Sequence, residues 1–118
     1  MALRGSRTLI DWERVKVLRD EVGAEDFDEV VALFMDEMEE VTKRLATSPA
    51  LGRIEADLHF LKGSALSFGF QNFSELCQEG ETRSAQGDAA QVDLSQILGS
   101  YAASKQQFLS SLAVVFPR

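Results

Sequence analysis

Apolar residues recur along most of this chain at the three- and four-residue intervals that line one face of a helix, and no convincing run shows the two-residue alternation of a strand. The spacing predicts five helical segments. The first runs from about Asp11 to Glu21, with Asp11 as its N-cap, Trp12, Val15 and Leu18 as its apolar positions, and Gly23 at or just past its end. Trp12 is read as packing for this N-terminal helix. The second, from about Asp26 to Ala46, carries Phe27, Val31, Phe34, Met38, Val41 and Leu45 in a near-heptad stripe. Asp36, Glu37, Glu39 and Glu40 cover its outer faces, the ordinary pattern of a solvated surface. Thr47-Ser48-Pro49-Ala50 then breaks the helix, because proline disfavours helical geometry in the residue before it.

The third segment, about Gly52 to Phe68, has the stripe Ile54, Leu58, Leu61, Ala65 and Phe68, with Gly69 at its C-terminal end. The fourth, about Phe73 to Gln86, points Phe73, Leu76, Cys77 and Gly80 inward, and Gly87-Asp88 is a turn signal. The fifth, about Ala90 to Val115, presents Leu94, Ile97, Tyr101, Phe108 and Leu112. Short connections between long amphipathic helices favour antiparallel neighbours. The expected fold is therefore all-α: an antiparallel up-down-up-down four-helix bundle, with the short N-terminal helix packed across one end.

At 118 residues the chain is expected to be a single domain spanning 1–118, long enough for a core of its own without disulfide or metal support. A net charge of −7 disfavours both nucleic acid and an anionic membrane surface as partners. No apolar run approaches the ~20 residues needed to cross a bilayer. The segment Met1 to Arg7 is basic but lacks the apolar stretch of a signal peptide, so the cytoplasm is the expected compartment. Cys77, the one cysteine, excludes an internal disulfide and reads as a buried structural thiol.

The one histidine, His59, lies off the apolar stripe of the third segment, so it should face solvent. Lys62 and Gly63 follow at i+3 and i+4, on the same face. A single histidine cannot build a His-rich zinc or di-iron site. A nucleophile elbow, a P-loop and a kinase-type Gly-rich loop are all missing, so a self-contained enzyme or an ATP-binding protein is not expected. A neutral imidazole remains a competent nucleophile near neutral pH, since its ordinary pKa is ~6.5. It could accept a phosphoryl group from an acyl phosphate and return it. Lys62 would supply a cation for the phosphoryl oxygens, and Gly63 would leave clearance for an incoming protein. A glycine inside a helix costs ~1 kcal/mol relative to alanine, so Gly63 calls for such a reason.

The run His59-x-x-Lys62-Gly63-Ser64-Ala65-x-x-x-Gly69 resembles the signature of histidine-containing phosphotransfer (HPt) domains of two-component phosphorelays. The similarity extends over roughly residues 10–112. It takes in Asp26-Phe27, Val30-Val31 and Leu33-Phe34 before the signature, and Phe73, Leu76-Cys77 and Gly87-Asp88 after it. The resemblance implies a four-helix bundle with an added N-terminal helix. It implies that His59 takes a phosphoryl group from a receiver-domain phospho-aspartate and passes it to another receiver, with Lys62 steadying the phosphoryl oxygens and Gly63 giving clearance. The partners implied are response-regulator receiver domains and a hybrid histidine kinase. No cofactor is implied on this chain, because the divalent magnesium belongs to the receiver, and a monomer is expected.

Leu66 falls on the His59 face and is a candidate apolar contact for a receiver, with Met35 and Phe70 as further candidates. Some family members place a glutamine at the position of Glu81 to hydrogen-bond the imidazole. In a hairpin turning near 70–72, the residue level with His59 lies near Gln78 to Thr82, and Glu81 within that stretch would either orient the ring or face water. Two other readings stay open: a bundle that binds receivers without carrying phosphate, and a domain detached from a hybrid or chemotaxis kinase. The presence of His59 weighs against the first. A chain that starts at Met1 and ends soon after its last helix weighs against the second.

Overall fold

The computed structural model describes residues 8–117. It is all-helical in its regular elements: α1 (Trp12–Val22), α2 (Ala24–Thr47), α3 (Leu51–Phe68), α4 (Gln71–Ala85), a single 3₁₀ turn (Ala89–Gln91) and α5 (Leu94–Val115). The basic segment Met1–Arg7 lies outside the described residues. No helix among the described residues is long and apolar enough to cross a membrane.

Helix ends follow local chemistry. The Asp11 carboxylate accepts a hydrogen bond from the Arg14 amide and caps α1. Gly23, at φ +93°, is the whole connection between α1 and α2, so α2 begins two residues earlier than its apolar pattern indicates. The Asp93 carboxylate caps α5 by accepting from the Gln96 amide at 3.0 Å. The segment expected to be helical from Ala90 thus opens with the 3₁₀ turn and starts its α-helix only at Leu94.

The α3 stripe Ile54, Leu58, Leu61, Ala65 and Phe68 is buried throughout. On α2 the buried positions are Phe27, Val31, Met35, Met38, Val41, Thr42 and Leu45. Phe34 is half-buried, its ring 5.4 Å from that of Phe68. Aromatic rings fill the end of the molecule near the α3–α4 turn. Phe70 lies 5.3 Å from Phe68, 5.6 Å from Phe108 and 6.2 Å from Tyr101, and Trp12 stacks on Phe108 at 5.5 Å.

Two expectations are corrected by this packing. Phe70 is fully buried and Met35 is 6 % exposed, so neither can meet a partner from solvent. Phe70 is held in by the segment before α1, which crosses the turn through Asp11 N–H to Gly69 O (2.7 Å) and Gln71 N–H to Leu9 O (2.9 Å). Met35 turns inward because the 3.6-residue helix period carries the stripe through both 34 and 35, and its sulfur accepts from the Tyr101 hydroxyl.

Cys77 is fully buried, and its thiol is pushed up to about 12, first by burial and then by the nearby Glu81 charge. It is therefore a packing group rather than a nucleophile at physiological pH.

Candidate functional site

The site is built where α3 and α4 lie against each other. Gly80 permits the approach: a Cβ there would stand 2.6 Å from Leu58 Cδ1, 3.2 Å from Val92 Cγ1 and 3.3 Å from Ile97 Cδ1. Leu58 and Gly80 are the chain neighbours of His59 and Glu81. The close packing of the first pair thus brings the second pair together at the rim of the core.

His59 Nδ1 is 2.7 Å from Glu81 Oε2. Three residues further along α3 and three residues back along α4, the Lys62 ammonium donates to Gln78 Oε1 at 3.1 Å. The same ammonium lies 3.0 Å from Glu81 Oε1 as an ion pair, off the alignment of a good hydrogen bond. The Gln78 amide in turn donates to the Thr82 hydroxyl at 3.0 Å. The His59 side chain is 67 % exposed, whereas Glu81 retains 17 % and Lys62 21 %. The ring thus stands in solvent while the groups that hold it are recessed. Of the two orientations open for Glu81 in the sequence, the structure places its carboxylate against the ring.

Burial acts to raise the Glu81 carboxyl, but Lys62 and His59 outweigh it and hold the group below the ordinary carboxylate range. An ionised carboxylate can only accept, so Nδ1 carries the proton of this hydrogen bond. In the neutral ring the lone pair is then on Nε2, the nitrogen away from Glu81. The site therefore offers one exposed nucleophilic nitrogen, a fixed tautomer and a cation one helical turn away.

A depressed folded-state pKa stabilises the fold where the carboxyl is ionised, and that contribution is lost as pH falls through the folded value. Glu81→Gln should therefore flatten the acid limb of the stability profile, from about the ordinary glutamate pKa of ~4.3 downward. Thermal melts between pH 6 and pH 3 check this. Parallel acid limbs for the two proteins would show that Glu81 makes no net ionic contribution.

Gly63 is exposed, and a Cβ at that position would meet nothing within 4 Å. Among the described residues, no packing requires a glycine there. Leu66 is 56 % exposed and borders an open groove of about 460 Å³ that also includes Lys62, Ser74, Glu75, Gln78 and Glu79. The groove begins beside the site and runs along the α3–α4 seam.

The sequence pattern did not single out Gln78, although the hairpin register that aligns Glu81 with His59 aligns Gln78 with Lys62. Nor did it reveal the pair Arg44–Asp57 (2.7 Å), which ties α2 to α3 two residues before His59. Asp57 interrupts an otherwise apolar flank of α3, and that was its available signal. No cluster of three or more metal-ligating side chains occurs among the described residues.

A family model described as Hpt domain matches residues 29–107. Phosphorelay protein LuxU from Vibrio vulnificus, in strains YJ016 and CMCP6, is 31% identical over 84 residues, which cover 69% of this chain and 73% of the relative. No solved structure matches significantly.

Proposed function

Because the chain belongs to the Hpt domain family, we propose that it is a phosphoryl carrier in a His-Asp relay, and that His59 Nε2 is the atom that carries the group. The observation behind this reading is the exposed imidazole whose Nδ1 is committed to Glu81. The Nε2 lone pair attacks the phosphorus of a receiver phospho-aspartate. The P–Nε2 bond forms as the P–O bond to the aspartate breaks, and the carboxylate departs as an anion. The reverse step delivers the group to a second receiver. Lys62, already beside the ring, places positive charge near the transferring oxygens. Gly63 leaves the surface next to the ring bare, and Leu66 with its groove offers the receiver an apolar contact.

In this reading the protein is no enzyme in its own right. The divalent metal belongs to the receiver, and a hybrid kinase feeds the relay. The chain acts as a monomeric single domain in the cytoplasm. Helices α2 to α5 form an antiparallel up-down-up-down bundle with α1 across one end. The descending register of His59–Glu81 and Lys62–Gln78 supports this for α3 and α4. Phe27–Phe116 and Glu39–Lys105 support it for α2 and α5.

Mixing the protein with a phosphorylated receiver and measuring its intact mass tests the proposal. The expected result is an acid-labile gain of one phosphoryl unit. Receiver binding with no adduct would leave a purely binding module.

Gly63 gives a second check in which stability and activity part company. Gly63→Ala fills open space on a helix, so the fold should gain about 0.5–1 kcal/mol in denaturant melts. Transfer from the receiver should nevertheless slow, because the added methyl stands in the receiver's path. Equal or faster transfer would remove the clearance role.

A further inference from the structure

The carrier reading leaves a chemical question at Nδ1. When a neutral imidazole attacks through Nε2 and keeps its Nδ1 proton, the product is an N-phosphorylated imidazolium. From that cation the phosphoryl group leaves behind a neutral imidazole. If the Nδ1 proton is lost first, the group must instead leave an imidazolate, a far poorer leaving group. The fate of one proton therefore decides whether the phosphorylated protein is a ready donor or a dead end.

We infer that Glu81 is the positioning residue that keeps this proton on Nδ1 after His59 is phosphorylated, so that the group moves on and off the ring without any proton transfer at the imidazole. The inference rests on the carrier reading and concerns the second half of the cycle. Three observations support it. The carboxylate is 2.7 Å from Nδ1, the distance of a charge-assisted hydrogen bond. It is recessed, at 17 % exposure against 67 % for the ring, so water competes weakly for the carboxylate. It is also held in its ionised form by Lys62 and His59 against the pull of burial.

Among the described residues, the charges around the ring are few. On α4 it faces Glu81, with neutral Gln78 and Thr82 beyond. On α3, Lys62 lies one turn after it and Glu55 one turn before. Asp57 is occupied by Arg44 of α2. Lys62 is shared between Gln78 and Glu81 in the unphosphorylated protein. A phosphoryl group on Nε2 would draw its ammonium away from Glu81. The carboxylate would then have the imidazolium as its nearest cation, which tightens its hold on the proton at the moment it is needed.

A glutamine separates charge from geometry at this position. Its carbonyl oxygen can still accept from Nδ1–H, but it brings no negative charge. The proteins are phosphorylated with potassium phosphoramidate, a small donor that needs no receiver, and titrated from pH 5 to pH 10. ³¹P and ¹⁵N NMR follow the ring, and release of inorganic phosphate gives the rate. An opposite charge at this range raises the pKa of a cation by about 1 to 3 units.

The phospho-His59 ring of the wild type should therefore deprotonate about one pH unit or more above that of Glu81→Gln and of Glu81→Ala. The alkaline fall in phosphate release should shift with it, so that the wild type releases about threefold faster midway between two midpoints about one unit apart and about tenfold faster at pH values above both. Coincident titrations and coincident rate profiles in all three proteins would overturn the inference while leaving the carrier reading intact. Failure of the wild type to acquire any adduct on His59 would overturn both.

Discussion

Glutamine at position 59 should abolish phosphoryl acceptance and leave the fold unchanged. The expected loss exceeds a thousandfold, to below detection, because an amide nitrogen has no available lone pair and no neighbouring group can substitute. Cys77 is buried with its thiol pushed up to about 12, and His59 is the one histidine of the chain. Stability should hardly move. The ring is 67 % exposed, and its contact with Glu81 is an interaction at the protein surface. Glu81 keeps Lys62 as a partner after the substitution. A melting temperature within about two degrees of the wild type, with no acid-labile mass gain, is the expected pair of results. Residual acceptance in His59→Gln would mean that another side chain carries the group.

The other large effect belongs to Gly69, the last residue of the signature, and it acts on the fold. Gly69 ends α3 at φ +78° in the left-handed region. The Phe70 amide reaches back to Ala65 O at 2.9 Å, in the pattern that closes a helix C-terminus. Alanine in that conformation costs about 1–2 kcal/mol in strain. Its Cβ would also stand 2.6 Å from the Asp11 backbone oxygen and 2.9 Å from Val15 Cγ2. The segment pushed aside is the one that holds Phe70 in the core. Strain and displacement together should cost about 2–4 kcal/mol and lower the melting temperature by on the order of 10 °C.

Gly87→Ala supplies the control. Gly87 has φ +88° but nothing within 4 Å of a Cβ, so it should lose only the strain component. Equal losses at the two positions would show that the close approach of Asp11 contributes nothing. Two glycines of one signature thus divide the work: Gly63 leaves space outside the protein, and Gly69 makes a turn inside it.

The contrast between α3 and the α3–α4 turn shows how far sequence periodicity reaches. Each position of the α3 stripe is buried because all five follow a single helical register, a local property that the spacing displays directly. Met35 and Phe34 share the edge of the α2 stripe, and period alone does not rank them. Phe70 lies between helices, where no period applies, and its burial depends on pairing with Leu9 and Asp11 some sixty residues away. Asp93 was legible as a cap in principle, but the apolar pattern beginning at Ala90 masked it. At the site, His59, Lys62 and Gly63 stand within one helical turn and could be read together. Glu81 and Gln78 came within view only through the hairpin register, and the 2.7 Å contact that fixes the tautomer is a tertiary fact.

The central claim is that Nε2 of His59 carries the phosphoryl group while Glu81 holds Nδ1. The most direct measurement is ¹⁵N–³¹P correlation NMR on the protein after it has been phosphorylated by a receiver. The phosphorus should couple to His59 Nε2, with Nδ1 still bearing its proton. Coupling to Nδ1, or an adduct on any other residue, would contradict the account.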